Sequence, residues 1–97
     1  FGPVLATIEF GDLDEAIARA NDTPYGLAAG VWTRDIKKAH YAARKLQAGT
    51  VWINTYNVYD TAAPFGGYKQ SGFGREMSAH ALDHYTQIKS VWVDLNL

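Results

Sequence analysis

The side chains best able to do chemistry in this 97-residue sequence lie in its second half. His80 and His84 are four positions apart, and Glu76 precedes His80 by four more. On an α-helix that spacing brings side chains to one face, where two imidazoles could hold a metal ion that activates water for hydrolysis. The segment His80-Ala81-Leu82-Asp83-His84 places an aspartate where a zinc hydrolase carries a general-base glutamate, one methylene longer, and no third ligand is evident. Exposed helix histidines are the preferred reading, no metal ligand is assigned, and zinc analysis would decide the rival. His40, alone on a lysine-rich stretch, carries less signal.

A second candidate is the glycine-rich stretch Gly66-Gly67-Tyr68-Lys69-Gln70-Ser71-Gly72-Phe73-Gly74. Glycine lets backbone N–H groups approach a phosphate closely. The stretch lacks the Gly-Lys-Ser/Thr ending of a P-loop, and a dinucleotide fingerprint would need a glycine where Met77 stands. A structural loop is favoured. General acid-base chemistry finds no obvious agent, because Glu9 falls in an apolar strand pattern, Glu15 in a capping box and Glu76 at a helix start. With no cysteine there is no thiolate nucleophile, disulfide or sulfur-ligated zinc.

The elements that would position these groups follow a βαβ rhythm. Residues 4–10 are apolar and β-branched and meet a Gly-Asp turn, as a short strand does. Asp12 and Glu15 have capping-box spacing, and Leu13, Ala16, Ile17 and Ala20 share a face, predicting a helix over residues 13–20. Residues 26–33 are a nearly continuous apolar run suited to a strand buried on both faces. Asp35 caps a second predicted helix on which Ile36, Ala39, Ala43 and Leu46 repeat, and Gly49 sits where a left-handed C-terminal residue is wanted. Residues 50–54 form a third strand, completing β-α-β-α-β in an α/β fold.

A loop of about twenty residues follows, and a stretch of that length is usually functional or disordered. Its aromatics, Tyr56, Tyr59, Phe65, Tyr68 and Phe73, favour an ordered loop. A third helix is expected from Arg75 to about Tyr85. In the tail, residues 88–97, Val91, Val93, Leu95 and Leu97 alternate with polar positions except at Trp92. The pattern suits equally an intramolecular edge strand or one that pairs with another subunit.

Composition narrows the classes of function. Nine basic and ten acidic side chains give a net charge of -1, and the cations are spread over helical faces, which argues against nucleic acid as a partner. No apolar tract is long enough to cross a bilayer, so the expectation is no membrane insertion. The lack of cysteine fits a reducing, cytoplasmic location. The start at Phe1-Gly2-Pro3-Val4 reads as a cut end, and any presequence would lie upstream.

Five strings then occur in order: Phe1-Gly2-Pro3-Val4; Ala20-Asn21-Asp22-Thr23-Pro24-Tyr25-Gly26-Leu27-Ala28; Gly49-Thr50-Val51-Trp52-Ile53-Asn54; Pro64-Phe65-Gly66-Gly67-Tyr68-Lys69-Gln70-Ser71-Gly72; and Gly74-Arg75-Glu76. Together they resemble the C-terminal landmarks of NAD(P)-dependent aldehyde dehydrogenases, over the whole chain. The resemblance implies a parent enzyme that oxidises an aldehyde to a carboxylic acid with NAD or NADP. Residues 1–87 would be an incomplete C-terminal part of its catalytic domain, and residues 88–97 an oligomerisation strand extending a neighbouring subunit's sheet.

The family's catalytic cysteine and glutamate lie outside this part of its pattern, so no catalytic residue is assigned and the segment is expected to be inactive alone. By the same resemblance, Phe1 matches a phenylalanine that helps hold the nicotinamide end of the coenzyme, Tyr59 and Phe65 match aromatic positions of the aldehyde tunnel, and Asn57 matches its mouth. Aromatic walls exclude water beside a thiolate without offering a competing nucleophile. The implied partners are a small aldehyde, the rest of the same enzyme and other copies of it. The alternative is a non-catalytic module of the same fold that self-associates through residues 88–97.

Overall fold

A computed structural model of the chain describes residues 2–96. Two helices are set by local chemistry. Helix α1, Leu13–Asn21, opens on Asp12, whose carboxylate accepts from the Glu15 amide at 2.8 Å. Glu15 reaches back to accept from the Gly11 amide at 2.8 Å and pairs with Arg19 one turn on. Helix α2, Ile36–Lys45, opens on Asp35, which accepts from the Lys37 and Lys38 amides at 2.9 and 3.1 Å. Each cap satisfies amide donors that have no partner within the first turn.

Strands β2, Ala28–Val31, and β3, Thr50–Ile53, flank α2 in sequence and pair in parallel, Ala28 with Thr50 through Val31 with Ile53. Parallel neighbours need such a crossover. The expected strand over residues 26–33 is divided between two sheets: β1, Tyr25–Gly26, pairs antiparallel with β4, Tyr68–Lys69. β2 is only partly buried, so the expected burial on both faces is not reached here.

Small side chains let α2 sit close to its neighbours, and Ala39 and Ala42 are 1% and 2% exposed. With Ile17 and Trp52 they are the buried apolar residues among those described. Asn21 joins the layers: its amide nitrogen donates to the Lys45 carbonyl at 3.0 Å and its amide oxygen accepts from the Gln47 amide at 2.8 Å. Lys69 donates to the carbonyls of Asn21 and Thr23, at and just beyond the C-terminal end of α1, where a cation is favoured.

Three expected features take a different form. Residues 4–10 and 88–96 have no strand pairing among the described residues, and Val4, Leu5, Ile88 and Trp92 are almost fully exposed. A strand needs a hydrogen-bonding neighbour, and the apolar alternation of these segments cannot supply one by itself. The helix expected over residues 75–85 is reduced to a 3-10 helix, Ala79–His84. Glu76 is instead bridged to Phe65, and Met77 and Ser78 have φ of 59° and 54°, outside the right-handed helical region.

Gly49 is not the left-handed end of α2, which closes at Leu46 in an extended conformation. Glycine is required there for another reason: a Cβ would lie 1.6 Å from the Gly66 carbonyl oxygen. The strand and the glycine loop thus meet backbone to backbone. The radius of gyration is 19.4 Å, against about 13 Å for a compact domain of this length. The unpaired terminal segments account for the excess.

Candidate functional site

Trp52 anchors the long loop to the parallel strand pair. It is buried near the end of β3, and its indole N–H donates to the Val58 carbonyl at 2.8 Å, folding the chain after β3 back over the ring. The turn that permits this path places Asn54 and Asn57 at φ of 55° and 61°. Asparagine enters the left-handed region more readily than most residues. The Asn54 side chain accepts from the Thr33 amide and donates to the Thr33 carbonyl, both at 2.8 Å, fastening the ends of β2 and β3.

Around this platform the aromatics meet edge to face. Tyr59 stands at 88° to Trp52 with ring centroids 5.6 Å apart, and at 83° to Phe65 with centroids 5.2 Å apart. Tyr56 also packs against Trp52, at 64° with ring centroids 4.8 Å apart. Edge-to-face pairs place the positive ring edge on the negative face of a neighbour and fix the orientation of both rings. Phe65 is also held through its backbone, by paired hydrogen bonds with Glu76 of 2.9 and 2.7 Å. The Tyr59 hydroxyl donates to the Asn57 amide oxygen at 2.7 Å. Three of the sequence-predicted site residues, Asn57, Tyr59 and Phe65, are thus in one place. Phe1, the fourth, lies outside the described residues.

The wall is open to solvent on one side, with Tyr59 49% exposed. A hollow of about 570 Å³ lies beside Phe65 and is lined by Gly66, Gly67, Phe73, Arg75 and His84 among others, but by neither Tyr59 nor Asn57. Arg75 clasps its rim, donating to the carbonyls of Gly67 at 3.0 Å and Gly74 at 2.6 Å, with its guanidinium 5.6 Å from the Tyr68 ring centroid.

The histidines take a different arrangement from the one their spacing suggests. Glu76 lies outside the 3-10 helix, and His80 and His84, four apart at three residues per turn, no longer share a face. His84 Nε2 accepts from the Arg75 amide at 3.1 Å, a structural hydrogen bond. No group of three or more His, Cys, Asp or Glu converges to hold a metal ion among the described residues. Sequence reasoning missed Trp52 as the platform and Arg75 as the clasp. Trp52, an aromatic on a β-branched strand just before the aromatic loop, was the available signal for the first.

The chain is thus an α/β scaffold bearing an oriented aromatic array, with apolar side chains exposed on both terminal segments. The chain belongs to the aldehyde dehydrogenase family, whose model matches residues 1–91. It is 65% identical over 95 residues to DhaS of Bacillus subtilis strain 168, covering 98% of this chain and 19% of that protein. It is 58% identical to the betaine aldehyde dehydrogenase of Brucella anthropi, covering 98% of this chain and 20% of the relative. Among solved structures, the NAD+ complex of aldehyde dehydrogenase from Bacillus cereus superposes with a TM-score of 0.92 at 60% identity, over 99% of this chain and 20% of that one. The chain therefore spans about a fifth of the length of these relatives.

Proposed function

We propose that this chain is the C-terminal portion of an enzyme that oxidises an aldehyde to a carboxylic acid with NAD or NADP, and that it supplies one wall of the aldehyde's path. The observation carrying this reading is the edge-to-face array of Trp52, Tyr59 and Phe65. Membership of the family and the NAD+ complex of the Bacillus cereus relative support the reaction and the coenzyme.

Gly66 and Gly67 do not fit the coenzyme's phosphates. The direction a Cβ would take from Gly66 is filled by the Gly74 carbonyl and the Arg75 side chain, and from Gly67 by Ser71, so these two glycines serve close packing rather than an anion cradle. NAD(P), when bound elsewhere in the protein, accepts hydride. Phe1 is proposed to touch its nicotinamide end, and nothing further is assigned to the coenzyme here.

What this chain's own residues do is bind and exclude. Tyr59 and Phe65 present ring edges and faces that bury the aldehyde's carbon chain and displace water from its route, and Asn57 stands at the mouth. The sequence holds no cysteine, so the thiolate that attacks the carbonyl belongs to polypeptide outside these residues. Residues 1–87 are assigned to the catalytic domain. Residues 88–97 are assigned to pairing with a second subunit, a role supported by 76% exposure of Val91 and 94% of Trp92. Among the described residues no helix is long and apolar enough to cross a membrane.

The test is steady-state kinetics on a full-length enzyme carrying this segment, following nicotinamide reduction over a series of aldehydes. Replacing Phe65 by alanine is expected to lower kcat/KM for aryl and long alkyl aldehydes by about 10- to 100-fold, as loss of a large apolar contact does. Acetaldehyde, too short to span the wall, should be much less affected. A uniform loss for every aldehyde would contradict the assignment of Phe65 to substrate binding.

A further inference from the structure

We infer that Asn57 is a positioning residue that fixes the polarity of Tyr59, and that the pair selects aldehydes carrying a hydrogen-bond donor at the end remote from the carbonyl. The inference rests on the aldehyde-oxidising reading above and names a substrate class for that same site.

A phenol has one proton to donate and lone pairs with which to accept. In this chain the Tyr59 proton is committed to the Asn57 amide oxygen, 2.7 Å away. The Tyr59 oxygen therefore faces its surroundings as an acceptor. The commitment is built in rather than incidental. Asn57 holds a φ of 61°, which brings its short amide onto the residue two positions on. The Tyr59 ring packs edge to face between two others, at 88° to Trp52 and 83° to Phe65, and these contacts favour the orientation that meets Asn57. Trp52 is in turn tied by its indole N–H to Val58, the residue between the two partners.

Phe65, the ring packed against Tyr59, offers no hydrogen-bonding group. An aldehyde with an alkyl or ether terminus thus finds apolar contact but no donor. A hydroxyl terminus gains a hydrogen bond to Tyr59 without breaking the one to Asn57. A site arranged around a polar group discriminates against ligands that leave that group unpaired.

The experiment uses a full-length enzyme carrying this segment and a matched trio of aldehydes: para-hydroxy-, para-methyl- and para-methoxyphenylacetaldehyde. The wild-type kcat/KM ratio should favour the hydroxyl over the methyl substrate. Tyr59→Phe is expected to reduce that ratio by about 10-fold, the loss of one hydrogen bond. Asn57→Gly keeps a backbone that tolerates positive φ but removes the acceptor. It should reduce the ratio several-fold and raise the methoxy substrate relative to the methyl, because the freed Tyr59 proton can then be donated outward. Asn57→Asp, which keeps an acceptor oxygen in place, should restore the wild-type ratio. The double variant should match Tyr59→Phe alone, as expected for residues acting through one bond. Losses equal across the three substrates, or a ratio unmoved by Tyr59→Phe, would overturn this inference while leaving the aldehyde-oxidising reading intact. Absence of turnover with every aldehyde tested would overturn that reading and this inference with it.

Discussion

At the scale of single residues, electrostatics single out Tyr41, far from the aromatic wall. Its hydroxyl donates to the Asp14 carboxylate at 2.7 Å, linking α2 to α1, and Lys45 lies 5.8 Å from its ring centroid. The hydrogen bond to Asp14, with the carboxylate's charge adding to it, holds the phenol above its ordinary value of 10.0. The folded state therefore binds this proton more tightly than the unfolded chain. The contribution is fully present below the unfolded value and is lost as pH rises through the folded one. Thermal melts of the full-length protein on the alkaline side of 10.0 should show a decline that Tyr41→Phe flattens. A pH profile unchanged by the substitution would count against the link. Tyr41 carried no signal in the sequence, because its partner lies 27 positions away on another helix. Asn57, Tyr59 and Phe65 were legible only through family resemblance. Their types suggest an apolar wall, but nothing in their spacing states that Tyr59 donates to Asn57 or that Trp52 braces the Tyr59 ring.

Among the elements, what was legible is what is locally encoded. Asp12 and Asp35 each cap within three residues, so both helices follow from nearby sequence. Asp35→Ala should lower stability by about 1 kcal/mol, the usual cost of a lost N-cap, as a shift in denaturation midpoint. Strands depend on distant partners, and there the reading from sequence was weaker. Gly26 and Ala28–Val31 fall in one apolar run over residues 26–33, yet their partners, Tyr68 for the first and β3 for the second, lie in different sheets. The expected third helix failed for a backbone reason: Met77 and Ser78 adopt positive φ, and Glu76 is drawn into a bridge with Phe65. Gly49 was correctly marked as special but for the wrong cause, because its closeness to Gly66 is a long-range contact. Gly49→Ala must push the strand away from the loop that carries Phe65. We expect it to cost about 3 kcal/mol, the upper range for an overpacked site, and to lower kcat/KM for bulky aldehydes in the same protein. Full stability with alanine at this position would refute the close approach.

For the whole molecule, the decisive property is how little of it is buried. Four apolar residues form the interior among those described, while Ile8, Phe10, Val91, Val93 and Leu95 remain largely exposed along an object 74 Å in its longest dimension. Exposed apolar segments with unpaired backbone seek other surfaces. In the proposed enzyme those surfaces belong to the rest of the same chain and to a second subunit. Removing residues 88–97 from the full-length protein should reduce its oligomeric state in light scattering, whereas an unchanged mass would assign the tail to an intramolecular role. The reaction's nucleophile is proposed to reside in polypeptide outside these residues, and one comparison tests this directly: nicotinamide reduction by aldehyde, measured side by side for the isolated 97-residue chain and for a full-length enzyme carrying it. Turnover by the longer protein with none by the chain is the predicted result. Turnover by the isolated chain, which has no cysteine, would contradict it.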